Sequence, residues 1–170
     1  MPSRLSSSAV HSYGGYAALA ALAFTPDEFA CGVDEAGPAN LLTLLQTTPE
    51  YWAPTLGESK KRVGDWEKEP DFLKARSPVH YAHRIQAPLL VVQGANDPRV
   101  KQAQADEIVQ AVRKNAKTVQ YLLFPDEGHN IARPENEIKC RAAEEAFLAK
   151  YLGGRVEPAS EKEKCEDLMK

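Results

Sequence analysis

The run Pro88-Leu89-Leu90-Val91-Val92-Gln93 most narrowly limits what this chain can fold into. It is too short for a core helix, and its unbroken apolar stretch leaves no polar face to turn toward water. Such a run fits a strand covered on both sides, as in a parallel sheet with helices on each face. Gly94-Ala95-Asn96-Asp97-Pro98 ends it, and residues 101–114 then have helical spacing, with Ala103, Ile108 and Val112 among the apolar positions. A second strand is expected over 118–124, carrying Val119, Tyr121, Leu122, Leu123 and Phe124. After a loop over 125–134, residues 135–152 read as an amphipathic helix with Ile138, Ala142, Ala146, Phe147 and Tyr151, stopped by Gly153-Gly154. Strands alternating with helices make the chain α/β, with a mostly parallel sheet.

Upstream, residues 29–34 read as a short buried strand before Gly37-Pro38, and Asn40 as the cap of a helix over 41–46. Residues 47–87 are richer in Pro, Trp and charge. They read as short helices or loops, either a surface excursion or the cover of a site. The charged tail from 156 to Lys170 is expected to fray.

Composition excludes several classes. The 170 residues suffice for one domain with a core. A net charge of -3 gives no electrostatic reason to expect a nucleic-acid partner. The longest apolar run, ending at Phe24, is too short for a membrane span, and residues 1–11 hold no apolar core of a secretion signal. Cys31, Cys140 and Cys165 are odd in number and widely spaced, which argues against a disulfide framework and a zinc site. Reduced thiols favour a cytoplasmic location.

The chemistry-bearing feature is Ser12-Tyr13-Gly14-Gly15-Tyr16, followed by an apolar helical run over 16–24. A nucleophilic serine on a sharp strand-to-helix turn needs small residues two before and two after it. Gly14 fills the second position, whereas Val10 holds the first and is expected to crowd the turn. An ordinary loop serine before a buried helix is the competing reading. In parallel sheets, function gathers beyond the carboxyl ends of strands. Asp97 follows the strand 88–93 and His129 follows the strand 118–124. Singly, Asp97 could be a turn former or helix cap, and His129 a loop histidine. Together they follow the chain order Ser, Asp, His of α/β-hydrolases. A serine hydroxyl is a poor nucleophile, so a neutral imidazole must take its proton while a carboxylate fixes the imidazole's tautomer.

Other candidates carry less. His80 and His83 resemble a metal pair but lack a third ligand nearby, and no metal is expected. His11 adjoins Ser12, yet neighbouring side chains on such a turn point apart, so it is not assigned as the base. Arg99 could touch substrate or simply be solvated.

Three motifs, Ser12-Tyr13-Gly14-Gly15-Tyr16, Gly94-Ala95-Asn96-Asp97-Pro98-Arg99-Val100 and Phe124-Pro125-Asp126-Glu127-Gly128-His129, resemble those of the prolyl oligopeptidase family of serine peptidases. The likeness is greatest to its acylaminoacyl-peptidase and dipeptidyl-aminopeptidase branch. It implies that residues 12–155 are the C-terminal part of an α/β-hydrolase catalytic domain, after a divergent segment 1–11 and before a tail 156–170. It implies Ser12 as nucleophile, Asp97 as acid, His129 as general base and the Tyr13 backbone N–H as an oxyanion donor, with a peptide substrate and no cofactor. Family members also carry a β-propeller and the first half of the sheet. Against that pattern the chain reads as truncated: polar residues 4–11 stand where an apolar elbow strand belongs. A second oxyanion donor, a tyrosine hydroxyl, and most of the substrate pocket are expected outside it. A cut sheet edge would invite self-association. The expected function is serine-type peptidase chemistry, reduced or lost in the isolated chain. A non-catalytic remnant and a small serine esterase are the alternatives.

Overall fold

The computed structural model describes residues 10–160 and 164–170. The divergent segment expected at 1–11 therefore lies, up to residue 9, outside the described residues. Four parallel strands stand side by side in chain order: β1 (Val10–His11), β2 (Gly32–Glu35), β3 (Leu89–Gly94) and β4 (Val119–Phe124). All six residues of β3 are buried, as its unbroken apolar sequence demands. Leu89 pairs with Gly32 on one side and Val119 on the other, so β3 is the sheet's interior spine.

Helices cover both faces. On one face α1 (Tyr13–Phe24), α5 (Gln102–Lys114) and the 3-10 turns over Pro78–Arg84 bury Leu19, Leu22, Ile108 and Val112 against Leu89, Val91 and Tyr121. On the other, α6 (Pro134–Leu152) sets Cys140 and Phe147 against Val33, Leu90, Val92 and Leu122. Between β2 and β3 the chain makes an excursion through α2 (Leu41–Gln46), α3 (Leu56–Arg62) and α4 (Pro70–Ala75). Its small core is Leu41, Leu45 and Leu73. Asn40 caps α2, its side chain accepting from the Thr43 N–H.

Four expectations need correction. Helix α1 begins at Tyr13, three residues before the apolar run suggested. Gly14 and Gly15 are weak helix formers, but a Cβ on Gly15 would collide with Asp34 and the Gly37 backbone, so tertiary contact overrides propensity. Strand β2 starts at Gly32 rather than 29, where its pairing with β3 begins. The buried faces of the long helices keep Ile108, Val112 and Phe147 of the expected sets but not every other position. Ala103 is exposed while Gln104 is buried, bonding Asn40 and Thr43. Ile138 is 52% exposed, whereas Cys140 and Phe147 face the core and the buried Glu144 pairs with Arg141 at 2.6 Å.

The tail does not fray at its end. Met169 pairs antiparallel with Leu122, and the Lys170 N–H donates to the Tyr121 carbonyl at 3.0 Å. Arg113 bonds the Lys170 carbonyl, and the Lys170 ammonium meets Asp106 at 2.9 Å. The outer edge of β4 is thus partly occupied by the chain's own last residues.

Candidate active site

Ser12 stands between β1 and α1 with φ 61° and ψ -116°, a strained backbone region for a residue with a side chain. Its N–H donates to the Glu35 carbonyl at 2.8 Å, which ties the turn to β2. The turn forms with Val10 two residues before the serine, the Val10 backbone pairing with Asp34. Expected crowding at Val10 does not prevent it. The close approach that such a turn needs is made elsewhere, where Gly15 and Gly37 meet over the Asp34 carboxyl.

That carboxyl is fully buried. Burial raises its pKa to about 8, helped by the neighbouring Glu35 charge and opposed by the hydrogen bond from the Gly37 N–H at 2.8 Å. A neutral Asp34 therefore lies beneath the turn at pH 7.

Asp97 follows β3 and is buried. Its Oδ1 accepts from the Arg99 and Val100 N–H groups at 2.7 and 3.0 Å, and its Oδ2 lies 2.7 Å from His129 Nδ1. Burial pushes this carboxyl up, but the His129 bond and the two backbone donors together outweigh it and hold it below the ordinary range. A carboxylate accepts only, so His129 carries its proton on Nδ1. The lone pair of Nε2 then faces Ser12 Oγ at 2.9 Å, where it accepts the hydroxyl proton. Asp97, His129 and Ser12, expected at separate strand ends, form one continuous hydrogen-bonded chain.

The loop carrying His129 is held by a residue that the sequence reading passed over. Glu127 is buried and accepts from the Ala132 and Arg133 N–H groups and from Asn136 Nδ2, at 3.1, 2.9 and 2.8 Å. The first residues of α6 have no side-chain cap, and Glu127 instead ties down the two residues before the helix and the Asn136 side chain in its first turn. Burial raises its pKa, yet these donors together pull it below the usual carboxylate value. Its carbonyl accepts the Asn96 N–H, joining the His129 loop to the Asp97 loop. Gly94 permits this contact: a Cβ there would meet the Gly128 carbonyl oxygen. A charged residue two before the histidine was the available signal, but nothing local revealed its burial.

His11, not assigned as the base, contacts the base instead. Its Nε2 lies 2.7 Å from the His129 carbonyl, and the two rings meet edge to face with centroids 4.5 Å apart.

A cavity of about 330 Å³ opens beside Ser12. Tyr16, Leu41, Trp52, Phe72 and Val100 line it, so the excursion 47–87 supplies a wall rather than a remote surface loop. Arg99 borders it with its guanidinium 5.7 Å from the centre of the Trp52 ring.

His80 and His83 are both exposed. Glu35, Cys140 and Glu144 bring potential ligand atoms within 4.8 Å of one another. Arg141 lies 3.3 Å from Glu35 and 2.6 Å from Glu144, already supplying positive charge there. Burial pushes the Cys140 thiol up, away from the thiolate a metal would need.

Residues 10–155 match the prolyl oligopeptidase family. The chain belongs to this family. It is 56% identical over 149 residues to dipeptidyl aminopeptidase BIII of Pseudoxanthomonas mexicana, covering 86% of this chain and 22% of that protein. It is 47% identical over 150 residues to dipeptidyl peptidase family member 6 of Caenorhabditis elegans, covering 86% of this chain and 20% of the relative. Among solved structures, a puromycin-hydrolyzing peptidase of Mycobacterium tuberculosis superposes with a TM-score of 0.79 at 26% identity, covering 88% of this chain and 23% of that one. The fold is that of α/β-hydrolases, and the chain spans about a fifth of the length of the curated relatives. No helix among the described residues is long and apolar enough to cross a membrane.

Proposed function

We propose that this member of the prolyl oligopeptidase family carries out serine-type acyl transfer on peptides. The observation that carries the reading is the chain from Asp97 through His129 to Ser12, with links of 2.7 and 2.9 Å. In this reading Ser12 Oγ attacks the scissile carbonyl while His129 Nε2 takes its proton. Asp97 keeps His129 in the Nδ1–H tautomer and stabilises the imidazolium that forms. His129 then returns the proton to the leaving amine, and water attacks the acyl group in the second half of the cycle.

The negative oxygen formed on attack needs donors fixed in advance. The Tyr13 N–H begins α1, so it has no acceptor within its own helix, and the positive end of that helix's dipole lies at the same point. A second donor, the tyrosine hydroxyl implied by the family resemblance, belongs to a region of the relatives that these residues do not span. Losing one such donor typically costs about 10²–10³ in rate. We therefore infer reduced turnover for the chain alone.

A fluorophosphonate probe tests the reading, since it reports an activated serine without requiring a peptide pocket. Labelling that disappears in Ser12→Ala is the expected result. Absence of Ser12-dependent labelling would favour a non-catalytic role. Faster turnover of a p-nitrophenyl ester, with no cleavage of any peptide anilide, would favour an esterase.

A further inference from the structure

We propose that His11 is a positioning residue for His129, holding the imidazole in line with Ser12 by a hydrogen bond from its own Nε2–H to the His129 carbonyl. The inference rests on the reading of His129 as general base. A carbonyl oxygen can only accept, so the 2.7 Å contact requires a proton on His11 Nε2.

The bond joins two stiff supports. His11 is the last residue of β1, paired with Glu35 of β2, and the next residue's N–H is bound to the Glu35 carbonyl. Glu127 grips the other side, at Ala132, Arg133 and Asn136. Those contacts fix the loop on either side of His129, whereas His11 bonds His129 itself. The edge-to-face contact of the rings at 4.5 Å also limits rotation of the His129 loop about its flanks. The charged groups around the pair are Asp97 beyond His129, Glu35 on β2, and Arg141 and Glu144 of α6, which reach the site through Glu35. None of these replaces the donor at the His129 carbonyl.

The test compares His11→Phe, which keeps a ring and loses the donor, with His11→Gln, whose amide nitrogen reaches about as far as the imidazole Nε2. The first readout is the low-field proton NMR resonance of His129 Nδ1–H, assigned by its absence in His129→Gln. The second is the rate of Ser12 labelling by a fluorophosphonate. His11→Phe should broaden or lose the resonance and slow labelling about tenfold, as expected for a misplaced base. His11→Gln should restore both. Should His11→Phe fail to fold, His11→Met, close to Gln in length and without a donor, serves the same comparison. A sharp resonance at the parental position in the donor-less variant, or a defect that Gln does not rescue, would overturn the proposal. Because the resonance needs no turnover, its expected behaviour in a chain that never labels would uphold the clamp and sink the catalytic reading alone.

Discussion

Asp97 and His129 stand on loops after β3 and β4, whereas Ser12 stands on the turn after β1, and the two sides are held by opposite electrostatics. On the Asp97–His129 side, buried carboxylates are charged and saturated with donors: Asp97 by His129, Arg99 and Val100, Glu127 by Asn136, Ala132 and Arg133. On the serine side the buried carboxyl of Asp34 has one backbone donor on Oδ1, no partner on Oδ2, and a pKa raised to about 8. A low-dielectric interior stabilises charge only where dipoles converge on it. One side of the site is thus built around anions, and the other around a neutral acid packed between glycines.

Breaking the anionic side should have the largest effect. Asp97→Asn keeps an acceptor for Arg99 and Val100 but spoils the His129 tautomer, so Ser12-dependent hydrolysis should fall by about 10³–10⁴, with a much smaller loss of thermal stability. Parental rates in that variant would remove Asp97 from the mechanism.

Crowding either side should come next. Gly15→Ala would force Asp34 and Gly37 apart, and Gly94→Ala would push the Gly128 carbonyl away. Each should destabilise by about 1–3 kcal/mol, as overpacking usually does. Gly128→Ala, which meets nothing within 4 Å, should be close to neutral and serves as the control. Denaturant titration of the three variants checks the order.

pH separates the sides more subtly. For Asp97 and Glu127 the folded pKa lies below the unfolded one, so their contribution is present above the ordinary carboxylate pKa and fades as pH falls through their depressed values. Asp34 has the opposite sign. The folded state binds more protons there, so its contribution is fully present below about pH 4 and declines as pH rises toward about 8. Asp34→Asn should therefore flatten the loss of stability between pH 5 and 8, leaving the acid limb in place. An unchanged alkaline slope would mean that Asp34 is charged in the folded protein.

The smallest effect is expected at the far edge of the sheet. Removing Met169 and Lys170 takes away the Met169 bridge and the Lys170 contacts with Tyr121, Arg113 and Asp106, and leaves the buried Leu168 in place. These are mostly exposed interactions, so stability should drop by roughly 1 kcal/mol. Light scattering should show more association once the β4 edge is open.

The parts legible in the sequence share a cause. Strand β3 announces itself because burial on both faces leaves little room for polar residues, β4 by its apolar run Tyr121–Phe124, and Asp97 and His129 follow from where those strands end. Ser12 was legible from Gly14 and Gly15, although those glycines also hid the true start of α1. What stayed hidden acts through the backbone or at long range. Glu127 and His11 bond main-chain groups of residues that local patterns do not pair with them. Nothing in the sequence around Glu144 signals its burial, and its partner Arg141 becomes apparent only in the fold. The C-terminal strap sits in a charged tail, and its order comes from pairing with β4 across some forty-five residues of chain and from burial of Leu168.

The central claim is that Asp97, His129 and Ser12 act as one unit, and phosphonylation of Ser12 followed by mass spectrometry tests it most directly. An adduct is expected on the peptide containing Ser12 in the parent chain, with its rate of formation falling at least a hundredfold in His129→Gln. An adduct that forms equally fast without the imidazole, or no adduct on Ser12 at all, would contradict it.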